Sequence, residues 1–177
     1  MSELTIIVLK NNDCLNKKTS RFKNMAFNLK TLKEITYPIV GMIYDVHTEL
    51  GPGLNEYIYQ EGLAMQLTEE EVPFEREKEI SLTYHGKLMN ATYRLDFLCL
   101  GCVVIECKSV EKLTPDHRAQ LFNYMRITKS PIGILVNFAQ KSAVVERYFF
   151  NKDTNEICDT NGDTLVFYTQ KKQVNIL

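Results

Sequence analysis

The chain has 177 residues, 45% of them hydrophobic and 24% charged, a composition that predicts one globular domain with a buried core. The net charge of −1 argues against a protein that coats nucleic acid through a general basic field, although an acidic site with a local basic rim would give the same sum. No segment approaches the ~20 apolar residues of a membrane span, so we predict no membrane contact. The apolar run at residues 4–9 lacks a preceding basic segment and a cleavage site, which predicts no signal peptide and a cytoplasmic location.

The five cysteines do not predict a disulfide framework, because their number is odd and no secretion signal precedes them. Cys99 and Cys102 form a C-x-x-C pattern. A zinc site would need a second such pair, and a redox pair would normally open a helix. This pair falls in a predicted hairpin turn, which favours small buried or turn residues over a metal or redox site.

The sequence divides into an N-terminal extension at residues 1–32, a periodic central domain at residues 33–150 and a C-terminal extension at residues 151–177. The C-terminal extension carries an Asn-Gly-Asp turn signal at residues 161–163, followed by an apolar segment. This pattern predicts a small hairpin in the extension.

Two helices open the central domain. Thr36 is a suitable N-cap with Pro38 in the first turn, and apolar residues then recur at helical spacing up to a Gly-Pro pair at residues 51–52. Asn55 can cap a second helix that runs to about residue 68.

Five strands and a third helix follow. The strands are predicted at residues 74–84, 88–98, 102–108, 132–138 and 144–150, and the helix at about residues 114–127. The third and fourth strands and the helix between them form a crossover unit, whose strands are nearly always parallel. The fold class is therefore α/β, a mixed β-sheet flanked by helices in the order α-α-β-β-β-α-β-β.

Charged residues interrupt two neighbouring apolar strands. Glu106 and Lys108 share one strand face because they are two residues apart, and the hairpin brings Asp96 towards Glu106. Mg²⁺ prefers carboxylate and other oxygen ligands. Asp96, Glu106 and the backbone carbonyl of Cys107 therefore predict a metal site, at which Lys108 can orient a water or stabilise an oxyanion.

Gln120 and Tyr124 lie four residues apart on one face of the third helix. Near the acidic hairpin, their amide and phenol can hold a water, the lysine or a phosphate by hydrogen bonds. The alternative is that Tyr124 only packs on the sheet and Gln120 is solvated.

Five motifs in order resemble the GxxExxY proteins, a group within the PD-(D/E)XK nuclease superfamily. They cover most of the chain, about residues 33–150. The motifs read GLNEYIY at residues 53–59, YRLD at 93–96, VIECK at 104–108, EKLT at 111–114 and QLFNY at 120–124.

The resemblance implies a restriction-endonuclease-like fold and phosphodiester hydrolysis, with one or two Mg²⁺ (or Mn²⁺) ions and DNA more than RNA as substrate. It implies that Asp96 and Glu106 are the motif carboxylates, Lys108 is the motif lysine and Glu56 is an additional acid on a helix, near a second metal if one binds. Leu95 stands where the superfamily pattern has proline. Gln120 and Tyr124 match the Q-x-x-x-Y signature of RecB-like nucleases.

Basic residues near these motifs are candidates for contact with substrate phosphates. Arg94 shares a face with Asp96, and Lys112, His117 and Arg118 cluster at the start of the third helix, where phosphate is favoured. The alternatives are that Arg94 only balances the charge of Asp96 and that the helix end is solvated.

Two other classes of function remain open. The chain could be a non-catalytic binding module that retains the nuclease fold, or a structural or regulatory partner. In the second case, the aromatic residues of the C-terminal extension could pack against a second copy and give a homodimer.

Overall fold

The computed structural model describes residues 29–160, 162 and 164–167 of the chain. The predicted α/β class and the order α-α-β-β-β-α-β-β are confirmed, and two short strands follow. The helices are α1 (Leu29–Leu50), α2 (Glu56–Glu69) and α3 (Pro115–Thr128). The strands are β1 (Phe74–Tyr84), β2 (Lys87–Cys99), β3 (Val103–Lys108), β4 (Ile132–Asn137), β5 (Val144–Asn151), β6 (Glu156–Cys158) and β7 (Thr164–Phe167).

Helix α1 corrects one prediction, because Thr36 is not an N-cap and Pro38 lies inside the helix. The Thr36 hydroxyl instead donates to the backbone carbonyl of Lys33, 3.0 Å away in the preceding turn. Buried Leu32, upstream of the proline, belongs to the same apolar stripe as Ile39, downstream of it. Packing of this stripe on the sheet therefore outweighs the backbone hydrogen bond that Pro38 removes.

The described strands form one sheet whose spatial order follows the chain from β1 to β7. Strands β3 and β4 are parallel, and every other neighbouring pair is antiparallel. Helix α3 makes the crossover between the two parallel strands, as predicted from the sequence.

Two layers of helix cover the two faces of the sheet. Helices α1 and α2 share one buried cluster with the β3 side chains of Val103, Ile105 and Cys107. Helix α3 shares the other cluster with Val104. Because strand side chains alternate, Glu106 lies on the face that α3 covers.

The ladder between β2 and β3 is short. These strands pair from Cys99↔Val103 to Phe97↔Ile105, and a turn with Leu100 at φ 54° and Gly101 at φ 64° joins them. The next two residues outward from the turn are Asp96 and Glu106, so the ladder ends where the acidic residues begin.

Candidate active site

Glu106 is almost fully buried near the end of β3, at 1% exposure. Its Oε1 atom lies 2.6 Å from Nζ of Lys108 on the same strand face. Its Oε2 atom is buried and has no hydrogen-bond partner among the described residues. A buried carboxylate oxygen without a partner is costly, so this atom is suited to a cation that the protein binds from solution.

Asp96 lies on β2, across from Glu106. Its side chain, and not a backbone carbonyl of β2, accepts the hydrogen bond from the next free N–H of β3. The Oδ2 atom accepts a hydrogen bond of 2.8 Å from the backbone N–H of Cys107. This bond fixes one oxygen of the carboxylate beside β3 after the strand ladder has ended. The structure therefore brings Asp96, Glu106 and Lys108 together.

Burial and mutual repulsion alter the acidity of this group. Burial, followed by the charge of Asp96, raises the pKa of Glu106 to about 7. Burial also raises the pKa of Asp96 against the effects of the Cys107 N–H and Lys108. Burial alone would lower the pKa of Lys108, but the carboxylate of Glu106 offsets it and the net shift is upward. Lys108 is thus held as a cation beside two carboxyls that ionise with difficulty.

Glu56 is the first residue of α2, and the Asn55 side chain caps this helix by accepting from the N–H of Ile58 at 3.1 Å. The negative charge of Glu56 makes a small contribution to the raised pKa values of Glu106 and Asp96, so Glu56 lies within electrostatic range of both carboxyls. Nevertheless, no three acidic, histidine or cysteine side chains of the described residues are gathered closely enough to form a metal cage. Any ion here would take some of its ligands from backbone, water or substrate oxygens.

Tyr59 holds the loop that leads to Glu56. Its buried hydroxyl donates to the Gly51 carbonyl at 2.6 Å and accepts from the Leu54 N–H at 3.2 Å. Its ring stacks on Phe138 with 4.6 Å between centroids. One side chain therefore ties residues 51–54 to α2 and to the layer beneath them.

The same loop is joined to the end of β3, because the Ser109 hydroxyl donates to the Leu54 carbonyl at 2.7 Å. Sequence reasoning gave Tyr59 no role. The available signal was the motif itself, in which Gly53, Glu56 and Tyr59 follow one another at intervals of three residues.

We expect Tyr59→Phe to lower the free energy of unfolding by ~1–2 kcal/mol, because the Leu54 N–H and the Gly51 carbonyl lose the buried hydroxyl that joins them. We also expect about tenfold slower metal-dependent cleavage, because the loop no longer fixes the start of α2. Denaturant unfolding and cleavage rates at saturating Mn²⁺ measure the two effects. Exposed Tyr37 provides the control Tyr37→Phe. Unchanged cleavage in a less stable Tyr59→Phe protein would limit Tyr59 to a structural role.

Gln120 and Tyr124 contact each other on α3. The Gln120 amide donates to the Tyr124 hydroxyl at 2.9 Å, and the Tyr124 ring meets Tyr93 edge to face with 5.7 Å between centroids. Burial raises the pKa of Tyr124, and the charges of Glu106 and Asp96 add to this shift. Tyr124 thus packs on the sheet and also faces the acidic group.

The four basic candidates are not equally free to bind phosphate. Arg94 forms an exposed ion pair with Glu77 at 3.1 Å, and His117 accepts through Nδ1 from the Thr114 N–H at 3.2 Å in a capping box. Lys112 is exposed. Arg94 and His117 therefore already have local partners, and Lys112 is the exposed candidate among these three.

Arg118 is held more firmly than the other three. Its Nε atom donates to Oε2 of Glu146 at 2.8 Å, a second guanidinium N–H donates to Oε1, and the Tyr148 hydroxyl donates to the same carboxylate at 2.6 Å. These bonds tie α3 to β5. A phosphate at Arg118 would have to compete with a bidentate ion pair.

The cysteines of the described residues are free thiols, and Cys99, Cys102 and Cys107 are buried. Burial raises the pKa of Cys102 to about 12 and raises that of Cys99 further. These thiols are therefore protonated at neutral pH, which agrees with turn and core residues rather than a redox pair. Cys14 lies outside the described residues.

A sequence model described as the PD-(D/E)XK nuclease superfamily matches residues 33–148. The chain belongs to this superfamily. Nucleases of this superfamily generally use divalent metal ions, and membership implies a nucleic-acid substrate.

The crystal structure of SSO0001 aligns with a TM-score of 0.43 and 20% identity, over 76% of this chain and 74% of that one. No curated protein matches the chain. Among the described helices, none is long and apolar enough to cross a membrane.

Proposed function

We propose that the protein is a Mg²⁺- or Mn²⁺-dependent nuclease of the GxxExxY group that hydrolyses DNA in preference to RNA. The observation that carries this proposal is the unpartnered, buried Oε2 atom of Glu106, beside Asp96 and Lys108. The superfamily match supports the class of chemistry. A cytoplasmic location and a homodimer stay predictions.

The donor set fits a hard divalent cation. Asp96 and Glu106 would hold it through carboxylate oxygens, and the Cys107 carbonyl and Glu56 are the candidates for further ligands, with Glu56 nearer to a second ion. Mg²⁺ usually retains several waters and needs few protein ligands, which suits an incomplete cage. When bound, the cation would lower the pKa of a coordinated water and offset the charge that develops on phosphoryl oxygens.

The side chains of the chain have separate tasks in this proposal. Lys108, a cation held by Glu106, donates hydrogen bonds to an attacking water or to a phosphoryl oxygen. Gln120 and Tyr124 orient the same water or the phosphate from α3. Among the basic candidates, we expect exposed Lys112 to contact phosphates at the rim, and Arg94 to do so because its ion pair with Glu77 is exposed and weak. His117 and Arg118 are lesser contributors because both are half-buried and bonded within the protein.

Cleavage of labelled single- and double-stranded DNA with Mg²⁺ or Mn²⁺ tests the proposal, with RNA of the same sequence for comparison. We expect cleavage that requires the metal and is lost in the double variant Asp96→Ala, Glu106→Ala. Glu70→Ala, which removes an exposed carboxylate beyond the end of α2, serves as the control. Activity that survives the double variant would place the chemistry elsewhere.

Calorimetric titration separates the nuclease from a non-catalytic module with the same fold. The nuclease is expected to bind Mn²⁺ through Asp96 and Glu106. A chain that binds DNA but shows no carboxylate-dependent binding of Mn²⁺ would be such a module.

A further inference from the structure

The β1–β2 hairpin extends well beyond the body of the sheet. Strands β1 and β2 remain paired out to Tyr84↔Lys87, whereas β2 pairs with β3 only over residues 97–99. We call residues 80–93 the arm. At ~3.3 Å per residue, Lys87 at the tip can lie up to ~30 Å from Asp96 on the same strand.

The arm exposes side chains that globular proteins usually cover. Every residue from Lys87 to Thr92 is exposed, and Tyr84 and Leu88 are 67% and 63% exposed. Neither side chain belongs to a buried cluster of the described residues. Tyr84 shares a face with Lys87, its partner in register, and Leu88 lies on the opposite face. Exposed apolar side chains on a projecting ribbon indicate a contact surface.

The charge of the arm selects the kind of partner. Residues 80–93 contain Lys87 and His85 but no acidic residue, although the whole chain has 22. The nearest acid towards the body, Glu79, is paired in register with Arg94, and Arg94 forms an ion pair with Glu77. The arm therefore presents one lysine and polar side chains without a carboxylate, which complements a polyanion.

The arm is also continuous with the candidate active site. Strand β2 carries Asp96 towards one end and Lys87 at the other, and Tyr93 at the base of the arm contacts Tyr124. A nucleic acid whose phosphodiester lies at Asp96 can therefore follow the same strand outward. A two-stranded ribbon is narrow enough to enter the major groove of a duplex.

We propose that the arm binds duplex DNA on one side of the scissile phosphodiester, with Lys87 on the phosphates and Tyr84, on the same face of the ribbon, against the groove. The inference rests on the proposed function, because it assigns the substrate a path from the active site. The ~30 Å reach of the arm corresponds to ~9 base pairs of duplex at 3.4 Å each.

The test uses a shortened arm and two point variants. Replacing residues 82–91 by Asn-Gly leaves a two-residue turn between the paired residues Ser81 and Thr92. The point variants are Lys87→Glu and Tyr84→Ser, which alter one face of the ribbon, and the control is Lys152→Glu, an exposed lysine between β5 and β6. Binding to a fluorescent 30-base-pair duplex is measured by anisotropy over a range of salt concentrations, and hydrolysis of bis(p-nitrophenyl) phosphate with Mn²⁺ reports on the active site alone.

We expect the shortened arm to weaken duplex binding about tenfold or more and Lys87→Glu to reduce the slope of log affinity against log salt by about 1. Hydrolysis of the small diester should stay within about twofold of the unaltered protein, since the small diester does not reach the arm. Lys152→Glu should change neither measurement. If the shortened chain does not fold, the two point variants decide.

Two outcomes would overturn the inference. One is duplex affinity that is equal in the unaltered protein and all arm variants. The other is light scattering that shows a dimer only when the arm is intact, with unchanged DNA binding, which would make the arm a contact between copies. A protein that binds duplex through the arm but hydrolyses neither substrate would refute the proposed function and leave the inference standing.

Discussion

Glu106→Gln is expected to make the metal-free protein more stable at pH 8 while it abolishes metal-dependent cleavage. The pKa of Glu106 is about 7 in the folded protein and 4.5 ordinarily, so the folded state holds a proton that the unfolded chain has already released between these values. The free energy of unfolding therefore falls as the pH rises from about 4.5 to 7, by up to ~3 kcal/mol from this group. Glutamine stays neutral and avoids that loss.

The net gain in the free energy of unfolding of Glu106→Gln should be only ~1–2 kcal/mol at pH 8, because Lys108 loses its ion pair in the same substitution. Denaturant unfolding at pH 5 and pH 8 without metal measures it, with Glu70→Gln as the exposed control. The gain should disappear at pH 5, where Glu106 is already protonated. Added Mn²⁺ should stabilise the original protein and not the variant. A variant that is less stable at pH 8 would show that the Glu106 carboxylate is satisfied without a cation.

Asp96→Asn and Asp96→Ala should be equally inactive and unequally stable. Either change removes a carboxylate from the proposed metal site, and we expect a loss of cleavage of ~10³-fold or more. Asparagine retains an oxygen that can accept from the Cys107 N–H, whereas alanine leaves this donor without its partner. The free energy of unfolding of Asp96→Ala should therefore be ~1–3 kcal/mol lower than that of Asp96→Asn.

Initial rates at saturating Mn²⁺ and denaturant unfolding of the two variants provide the comparison. Glu79→Ala, on the neighbouring strand, controls for the loss of an exposed carboxylate. Equal stability of the two variants would mean that the bond to Cys107 contributes nothing to the fold. Cleavage by Asp96→Asn near the original rate would remove Asp96 from the metal site.

The fold could be predicted from this sequence because its central strands β3 and β4 are mostly apolar and its breaks are explicit. The end of β3 at Lys108 and the parallel crossover through α3 both follow from alternation and turn signals. The start of α1 could not be predicted, because Pro38 is a strong local signal and the packing of Leu32 that overrides it is tertiary.

The candidate site was predictable in its charged residues and not in the bonds that hold them. The alternation of β3 predicts that Glu106 and Lys108 share a face, and the structure places them 2.6 Å apart. The bond from Cys107 to Asp96 depends on where the strand ladder ends, which no local pattern encodes. Similarly, nothing near Arg118 in the sequence indicates Glu146, which approaches from a strand 28 residues away.

The crossover through α3 couples the acidity of the site to the integrity of one helix. Glu106 lies on the sheet face that α3 covers, and its raised pKa comes first from that burial. Any change that loosens α3 would admit water and lower the pKa of Glu106 towards its ordinary value. A proton would then compete less for the carboxylate near neutral pH, while water would weaken its attraction for a cation. A substitution in the apolar face of α3 can therefore change the titration of Glu106 without touching its carboxylate.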